Sequence, residues 1–322
     1  MQACRAFACA AVLTALSAAQ PVFAQGYPDK PVRIIVPIGP GGSYDIVGRT
    51  VADALAKRLG QSVVVENKPG AGTVVGTQFV AREPADGYTL LVGGLSNIVF
   101  NPALYSKLDH DPMKEFTPVA LTLGISYVMV GRKDLPYTTL SEVLAAAKKE
   151  PGKLSMANAG VGTGQHLVAA ALMNATGTKF LEIPYKGAQL AYPDILAGRV
   201  DFFIDSYPAA LPHIKSGNVR AIAIAGPRRN PQTPDVPTMA EAGVKGFDID
   251  SWIGIFAPAK TPPEVLAKLR KETRAIIPSL KDSYAKVGGD IMELDEAQTQ
   301  AFIQKEYDMW TKVIRDAGIK LD

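Results

Sequence analysis

Two glycine-rich stretches carry the residues with the clearest chemical capacity. Gly39-Pro40-Gly41-Gly42-Ser43-Tyr44-Asp45 follows an apolar run at 32–37 and leads into a helical pattern that reaches Leu59. Gly160-Val161-Gly162-Thr163-Gly164-Gln165-His166 follows 153–157 in the same way and leads into a helical pattern reaching Asn174. Ligands of open α/β sheets sit beyond the carboxyl ends of strands, where a helix N-terminus offers unpaired N–H groups and the positive end of its dipole. Glycine lets the backbone approach such a ligand with no Cβ in the way. Both stretches are therefore candidate anion sites. Neither is a nucleotide loop: Gly-Lys-Ser/Thr is absent, no lysine lies between Lys30 and Lys57, and no Gly-x-Gly-x-x-Gly with a following acid occurs.

The side chains around these corners each admit two readings. Asp45, at a helix start, caps backbone amides or contacts ligand. Tyr44 stacks on a flat ligand or closes over its own loop. His166 makes a structural hydrogen bond or touches ligand. Asp205 follows the apolar run 200–204, and lines a cleft or serves the structure; an acid there repels an anion unless it accepts hydrogen bonds. The three histidines, His110, His166 and His213, lack metal-ligand spacing, so neither a metal nor another cofactor is expected. No Gly-x-Ser-x-Gly elbow is present, and nucleophilic catalysis lacks its parts. Trp252 reads as core within a strand at 250–256.

Strand and helix patterns alternate for most of the length, which predicts an α/β protein with largely parallel sheets. Strands are expected at 62–66, 88–92, 180–184, 200–204 and 220–225, the second opening into the loop Gly93-Gly94-Leu95-Ser96-Asn97. Helices are expected at 190–197 and 208–216. Thr139-Leu140-Ser141-Glu142 and Thr261-Pro262-Pro263-Glu264 each read as a capping box at a helix start. The last helix runs from near Asp295 to Gly318, with Ile303, Trp310 and Ile314 on one face. No strict period of 20–50 residues recurs.

The N-terminus places the chain outside the cytoplasm. Arg5, an apolar run at 6–19 and Val22-Phe23-Ala24 form a secretory signal, cleaved near Ala24. That run is short of the roughly 20 residues a membrane-spanning helix needs. Both cysteines, Cys4 and Cys9, leave with it, so the mature chain has no disulfide, thiol nucleophile or cysteine metal ligand. The formal charge of the full chain is +3, with no basic stripe, which argues against nucleic acid.

At these same residues the sequence resembles the solute receptors of the tripartite tricarboxylate transporters, the Bug receptors. The matching stretches are Tyr27-Pro-Asp-Lys-Pro-Val-Arg-Ile-Ile-Val-Pro, Gly39-Pro-Gly-Gly-Ser-Tyr-Asp-Ile, Val63-Val-Val-Glu-Asn-Lys-Pro-Gly-Ala-Gly and Pro84-Ala-Asp-Gly-Tyr-Thr-Leu-Leu. Further along come Pro184-Tyr-Lys-Gly, Gly198-Arg-Val-Asp, Leu211-Pro-His-Ile-Lys-Ser-Gly, Pro234-Asp-Val-Pro-Thr-Met-Ala-Glu-Ala-Gly and Ala317-Gly-Ile-Lys. The resemblance implies a two-lobed periplasmic binding protein of type II-like fold, each lobe a mostly parallel sheet flanked by helices, joined by crossing strands. After the signal at 1–24, one lobe would take 25–125 with 249–322 and the other 126–248. It implies that Gly41, Gly42, Ser43, Tyr44 and Asp45 hold one ligand carboxylate, partly through water, and that Gly162, Thr163, Gly164, Gln165 and His166 face them. Ser96, Asn97, Tyr185 and Asp205 would complete the cleft. The expected ligand is a small carboxylate. Two anion-facing helix ends point to a dicarboxylate, and Tyr44, in a slot where a smaller side chain is commoner, points to an aromatic one such as terephthalate. The expected partners are integral membrane transporter subunits, with the receptor itself a monomer. A receptor feeding a membrane histidine kinase, and an exported enzyme, are the alternatives.

Overall fold

The computed structural model describes residues 26–105 and 108–316. The signal segment with its two cysteines, and the chain end with Gly318, lie outside the described residues. In the first unit, β1 (Val32–Val36), α1 (Ser43–Leu59), β2 (Val63–Asn67), α2 (Val74–Arg82) and β3 (Thr89–Gly94) follow one another. β1 lies between β2 and β3, parallel to both. A parallel strand covered on both faces must be apolar throughout, and in β1 only Arg33 reaches solvent. α1 buries Val47, Val51 and Leu55 at helical spacing, and Gly60 (φ 67°) ends it by donating its N–H to the Ala56 carbonyl.

Beyond β3 the chain does not open into a loop at 93–97. It turns at once into a wide helical segment, Leu95–Phe100, and then the short α3 (Asn101–Leu104). All six residues of that segment are buried, so its backbone groups need internal partners, which a helical turn supplies and an open loop does not. The short α4 (Pro112–Glu115) leads into β4 (Phe116–Arg132), a 17-residue strand that crosses from one sheet to the other. α5 (Leu140–Lys149) opens with the expected capping box: Thr139 Oγ1 accepts from the Glu142 N–H at 3.3 Å, and Glu142 Oε2 accepts from the Thr139 N–H at 3.0 Å.

The second unit repeats the first. β5 (Ser155–Asn158), α6 (Gly164–Thr176), β6 (Leu181–Pro184), α7 (Tyr192–Leu196) and β7 (Phe202–Ser206) place β5 between β6 and β7, again parallel. α8 (Tyr207–Lys215) and β8 (Val219–Ile224) follow, and the chain returns through β9 (Asp250–Pro258). The spatial order is β2-β1-β3-β9-β4-β7-β5-β6. The parallel pairing expected from the sequence thus forms both wings. The centre is antiparallel, because β4 and β9 carry the chain between the lobes in opposite directions.

α9 (Pro263–Lys286) packs on α1 and β4, and β10 (Asp290–Ile291) precedes α10 (Glu296–Asp316). The expected capping box at 261–264 does not form. A residue before proline is pushed out of the helical region, so Pro262 (ψ 137°) is itself the N-cap. Thr261 falls one position early and its hydroxyl donates to the Pro258 carbonyl instead. Trp252 packs as core, against Phe256 and Phe302.

Candidate ligand cleft

The two glycine corners adopt one geometry. Gly41 (φ 81°) and Gly162 (φ 86°) take the left-handed region that favours glycine. Gly42 and Thr163 are extended N-caps, and Ser43-Tyr44 and Gly164-Gln165 are the first helical residues of α1 and α6. In each corner the third helical residue reaches back to the glycine. The Gly41 N–H donates to Asp45 Oδ2 at 2.9 Å, and the Gly162 N–H to His166 Nδ1 at 3.3 Å. Asp45 and His166, open between bracing and ligand contact in the sequence, here both brace their own loops. Asp45 also accepts from Arg49 Nε at 2.9 Å and Asn67 Nδ2 at 3.0 Å. Burial works to raise its pKa, but the hydrogen bonds from Arg49, Gly41 and Asn67 outweigh it and hold the carboxyl below the usual range. Burial pushes the His166 pKa down. With Nδ1 accepting, its proton sits on Nε2, 3.5 Å from Glu182 Oε1.

The corners face each other, and each is covered by a loop of the opposite unit. The loop after β6 lies on the first corner: a Cβ on Gly39 would stand 3.0 Å from the Lys186 carbonyl oxygen. The loop after β2 lies on the second: a Cβ on Gly72 would stand 2.0 Å from the Val161 carbonyl oxygen. Two hydrogen bonds also bridge the units. The Gly164 N–H donates to Ser96 Oγ at 2.9 Å, and Gln189 Nε2 donates to the Gly41 carbonyl at 3.3 Å. His213 Nε2 meets Gln189 Oε1 at 2.9 Å, and since an amide oxygen only accepts, that nitrogen carries the proton.

Between the corners lies a cavity of about 10 Å³, room for one water. Gly42, Ser43, Tyr44, Ser96 and Gln165 line it, joined by Ile38, Ile125, Tyr127 and Ser251. The last three come from the crossing strands β4 and β9. They were missed in the sequence because a strand residue acquires a cleft role only from where its strand crosses. Tyr44 is buried, and its hydroxyl accepts from the Ser96 N–H at 3.3 Å. Burial raises its pKa, and pushes that of Tyr127 up to about 12 against a hydrogen bond with Ser251.

Four expected residues contribute differently. Asn97 is fully buried and turned into its own unit: Oδ1 accepts from the Gly94 N–H at 2.9 Å, and Nδ2 donates to Thr77 Oγ1 and the Val92 carbonyl, both at 3.2 Å. Thr163 caps α6, accepting from the His166 N–H at 3.5 Å, rather than lining the central cavity. Asp205 lies beneath the cleft, fully buried, accepting from Gln165 Nε2 at 3.2 Å, Tyr192 Oη at 2.9 Å and the Ser206 N–H at 2.7 Å. It orients Gln165, whose carbonyl oxygen is then the end left for the cleft. Tyr185 stands at the mouth, lining an outer cavity of about 310 Å³ with Gly72, Gly160, Thr163 and Lys186, and its hydroxyl donates to Asp194 at 2.7 Å. Among the described residues no group of three or more His, Cys, Asp or Glu could hold a metal ion. No helix among them is long and apolar enough to cross a membrane.

Two α/β lobes, linked by crossing strands and closing over a cleft between facing helix N-termini, define a periplasmic binding protein fold. The model of the tripartite tricarboxylate transporter family receptor matches residues 47–319, and this chain belongs to that family. Protein BugT of Bordetella pertussis (strain Tohama I) is 36% identical over 306 residues, covering 94% of this chain and 94% of that protein. The structure of R. palustris Rpa4515 with adipate superposes with a TM-score of 0.87 at 30% identity, covering 91% of this chain and 99% of the other. MatC from Rhodopseudomonas palustris with bound malate gives 0.83 at 31% identity, covering 89% and 100%. The family and these structures are of solute-binding proteins, not enzymes, and this chain is a solute-binding receptor.

Proposed function

We propose that this receptor captures a dicarboxylate in the inter-lobe cleft and delivers it to a tripartite membrane transporter. It would act as a monomer in the periplasm, after loss of residues 1–24. One lobe is formed by 25–125 with 249–322 and the other by 126–248, with residues 116–132 and 250–258 as the hinge. The observation that carries the reading is the pair of like corners, one per lobe, whose first helical N–H groups have no acceptor within their own helices. Each corner takes one carboxylate. The binding of adipate and malate by the two relatives supports this class of ligand.

The magnitudes suffice. A helix end contributes roughly 0.3–1 kcal/mol, up to about 2 when partly buried, and each charge-assisted hydrogen bond about 1.5–3. Micromolar binding needs about 8 kcal/mol net. Only the closed form makes both sets of contacts, so ligand drives closure. Ile38, Ile125 and the rings of Tyr44 and Tyr127 give the space between the corners apolar walls. They favour a second, narrower reading, an aromatic dicarboxylate such as terephthalate. Titration calorimetry with citrate, succinate, glutamate, adipate, benzoate and terephthalate tests both. At least one dicarboxylate is expected to bind far more tightly than benzoate. Benzoate binding as well as every dicarboxylate refutes the two-corner grip, and tight citrate binding without a terephthalate response refutes the aromatic reading.

A further inference from the structure

The crossing strands have a second face. Alternation along a strand sends successive side chains to opposite sides. Tyr127 lines the cleft, Ser126, Asp250 and Trp252 line a second cavity of about 400 Å³ behind the hinge, and Ile125 and Ser251 border both. Its remaining walls include Phe302, Glu306 and Trp310 of α10, together with Asp248 and the turn at 228–231.

The charge in this cavity is unbalanced. The two arginines at its rim are committed, Arg228 to Asp290 and Arg229 to Glu241. Among the described residues, Asp248, Asp250 and Glu306 have no ion-pair partner; Asp250 accepts from Ser126 Oγ, and the charge of Arg228 near it is opposed by those of Asp248 and Asp290. Glu306 is half-buried at the floor. Its carboxyl is pushed up by burial and by the nearby Asp250 charge, and drawn down by the Trp252 and Trp310 indoles and Lys305. Both indole N–H groups are buried beside it, outside regular hydrogen-bond geometry. Aromatic rings around a carboxylate that has no ion-pair partner form a setting for a cation with an apolar body. The cation is not a metal, since no cluster of the required ligands exists among the described residues.

We propose that this hinge cavity binds a small organic ammonium ion, with Glu306 as its counter-charge and Trp252, Phe302 and Trp310 as its walls. The site does not rest on the reading of the cleft. The sequence holds two tryptophans, Trp252 and Trp310, and both line this cavity, so intrinsic fluorescence reports on it directly. The mature chain is titrated with phenethylamine, cadaverine and tetramethylammonium at constant ionic strength, with 2-phenylethanol as the uncharged control. A saturable fluorescence change with at least one amine, absent with the alcohol, is expected. Glu306→Gln should weaken that binding roughly tenfold, the loss of one charged contact, while dicarboxylate binding by calorimetry stays within about twofold. Met309→Lys, which sets an ammonium group in the cavity wall, should abolish the response even if Glu306→Gln folds poorly. Amines that act no more than matched sodium chloride, or that bind Glu306→Gln and Met309→Lys as they bind the parent, overturn the proposal.

Discussion

Asp205 is completely buried, and burial pushes its carboxyl up to about 6 despite the hydrogen bonds from Gln165, Tyr192 and Ser206. A carboxylate whose folded pKa is raised contributes stability below its unfolded pKa and loses it as pH rises through the folded value. Ionising Asp205 therefore costs up to about 3 kcal/mol, incurred between about pH 4 and 6. Thermal melts of Asp205→Asn against the parent should show this loss flattened over that window; parallel curves would refute it. The ionised form also holds Gln165 Nε2, and with it the orientation of the Gln165 carbonyl. Gln165→Ala removes the Nε2 donor from the buried Asp205 carboxylate and should lower stability near pH 7 by about 1–3 kcal/mol in denaturant unfolding; an unchanged stability would refute that role. At this scale the glycine corners were legible in the sequence, because glycine before a helix start has a backbone meaning independent of tertiary context. Which polar side chains face the cleft was not. Asp205 lies near the end of β7 as expected and Asn97 in the helical segment that replaces the expected loop, yet internal hydrogen bonds decide the direction of both, and Thr77, Gln165 and Tyr192 among those partners are distant in sequence.

The elements that touch when the lobes close are loops, and their fit depends on missing side chains. Gly72 (φ 57°) packs on the Val161 carbonyl, where a Cβ would stand at 2.0 Å. Gly72→Ala should prop the lobes apart and lower dicarboxylate affinity at least tenfold. The stability of the unliganded chain should fall only by the left-handed strain, about 1–2 kcal/mol. An unchanged affinity would refute the packing argument. Helix α5 rests partly on its reciprocal cap, and Thr139→Ala should cost about 1 kcal/mol in denaturant unfolding without altering ligand affinity. That cap was legible because both partners lie within four residues. The failure at Thr261 shows the converse: adjacent prolines shift a helix start by one residue, which suffices to break a motif defined by spacing.

For the whole molecule, the central cavity of about 10 Å³ admits no dicarboxylate without separation of the lobes. To take the proposed ligand, the chain must open in solution. Small-angle scattering should give a radius of gyration that falls on adding a saturating dicarboxylate; an unchanged value would refute the hinge. The α/β class was legible from the alternation of patterns. The repetition of one strand order in two units was not, because the repeat is of topology and not of residues: Ser43-Tyr44-Asp45 and Gly164-Gln165-His166 share positions and no identities. That likeness of the corners has a consequence for the molecules they admit. A solute with two identical ends, such as a straight-chain diacid, fits equally well after being turned end for end. Half of its tumbling orientations are not wasted, a statistical gain of about 0.4 kcal/mol. An acid bearing a single hydroxyl forfeits that gain and must recover it through the side chains that differ between the corners, glutamine in one against tyrosine in the other among them.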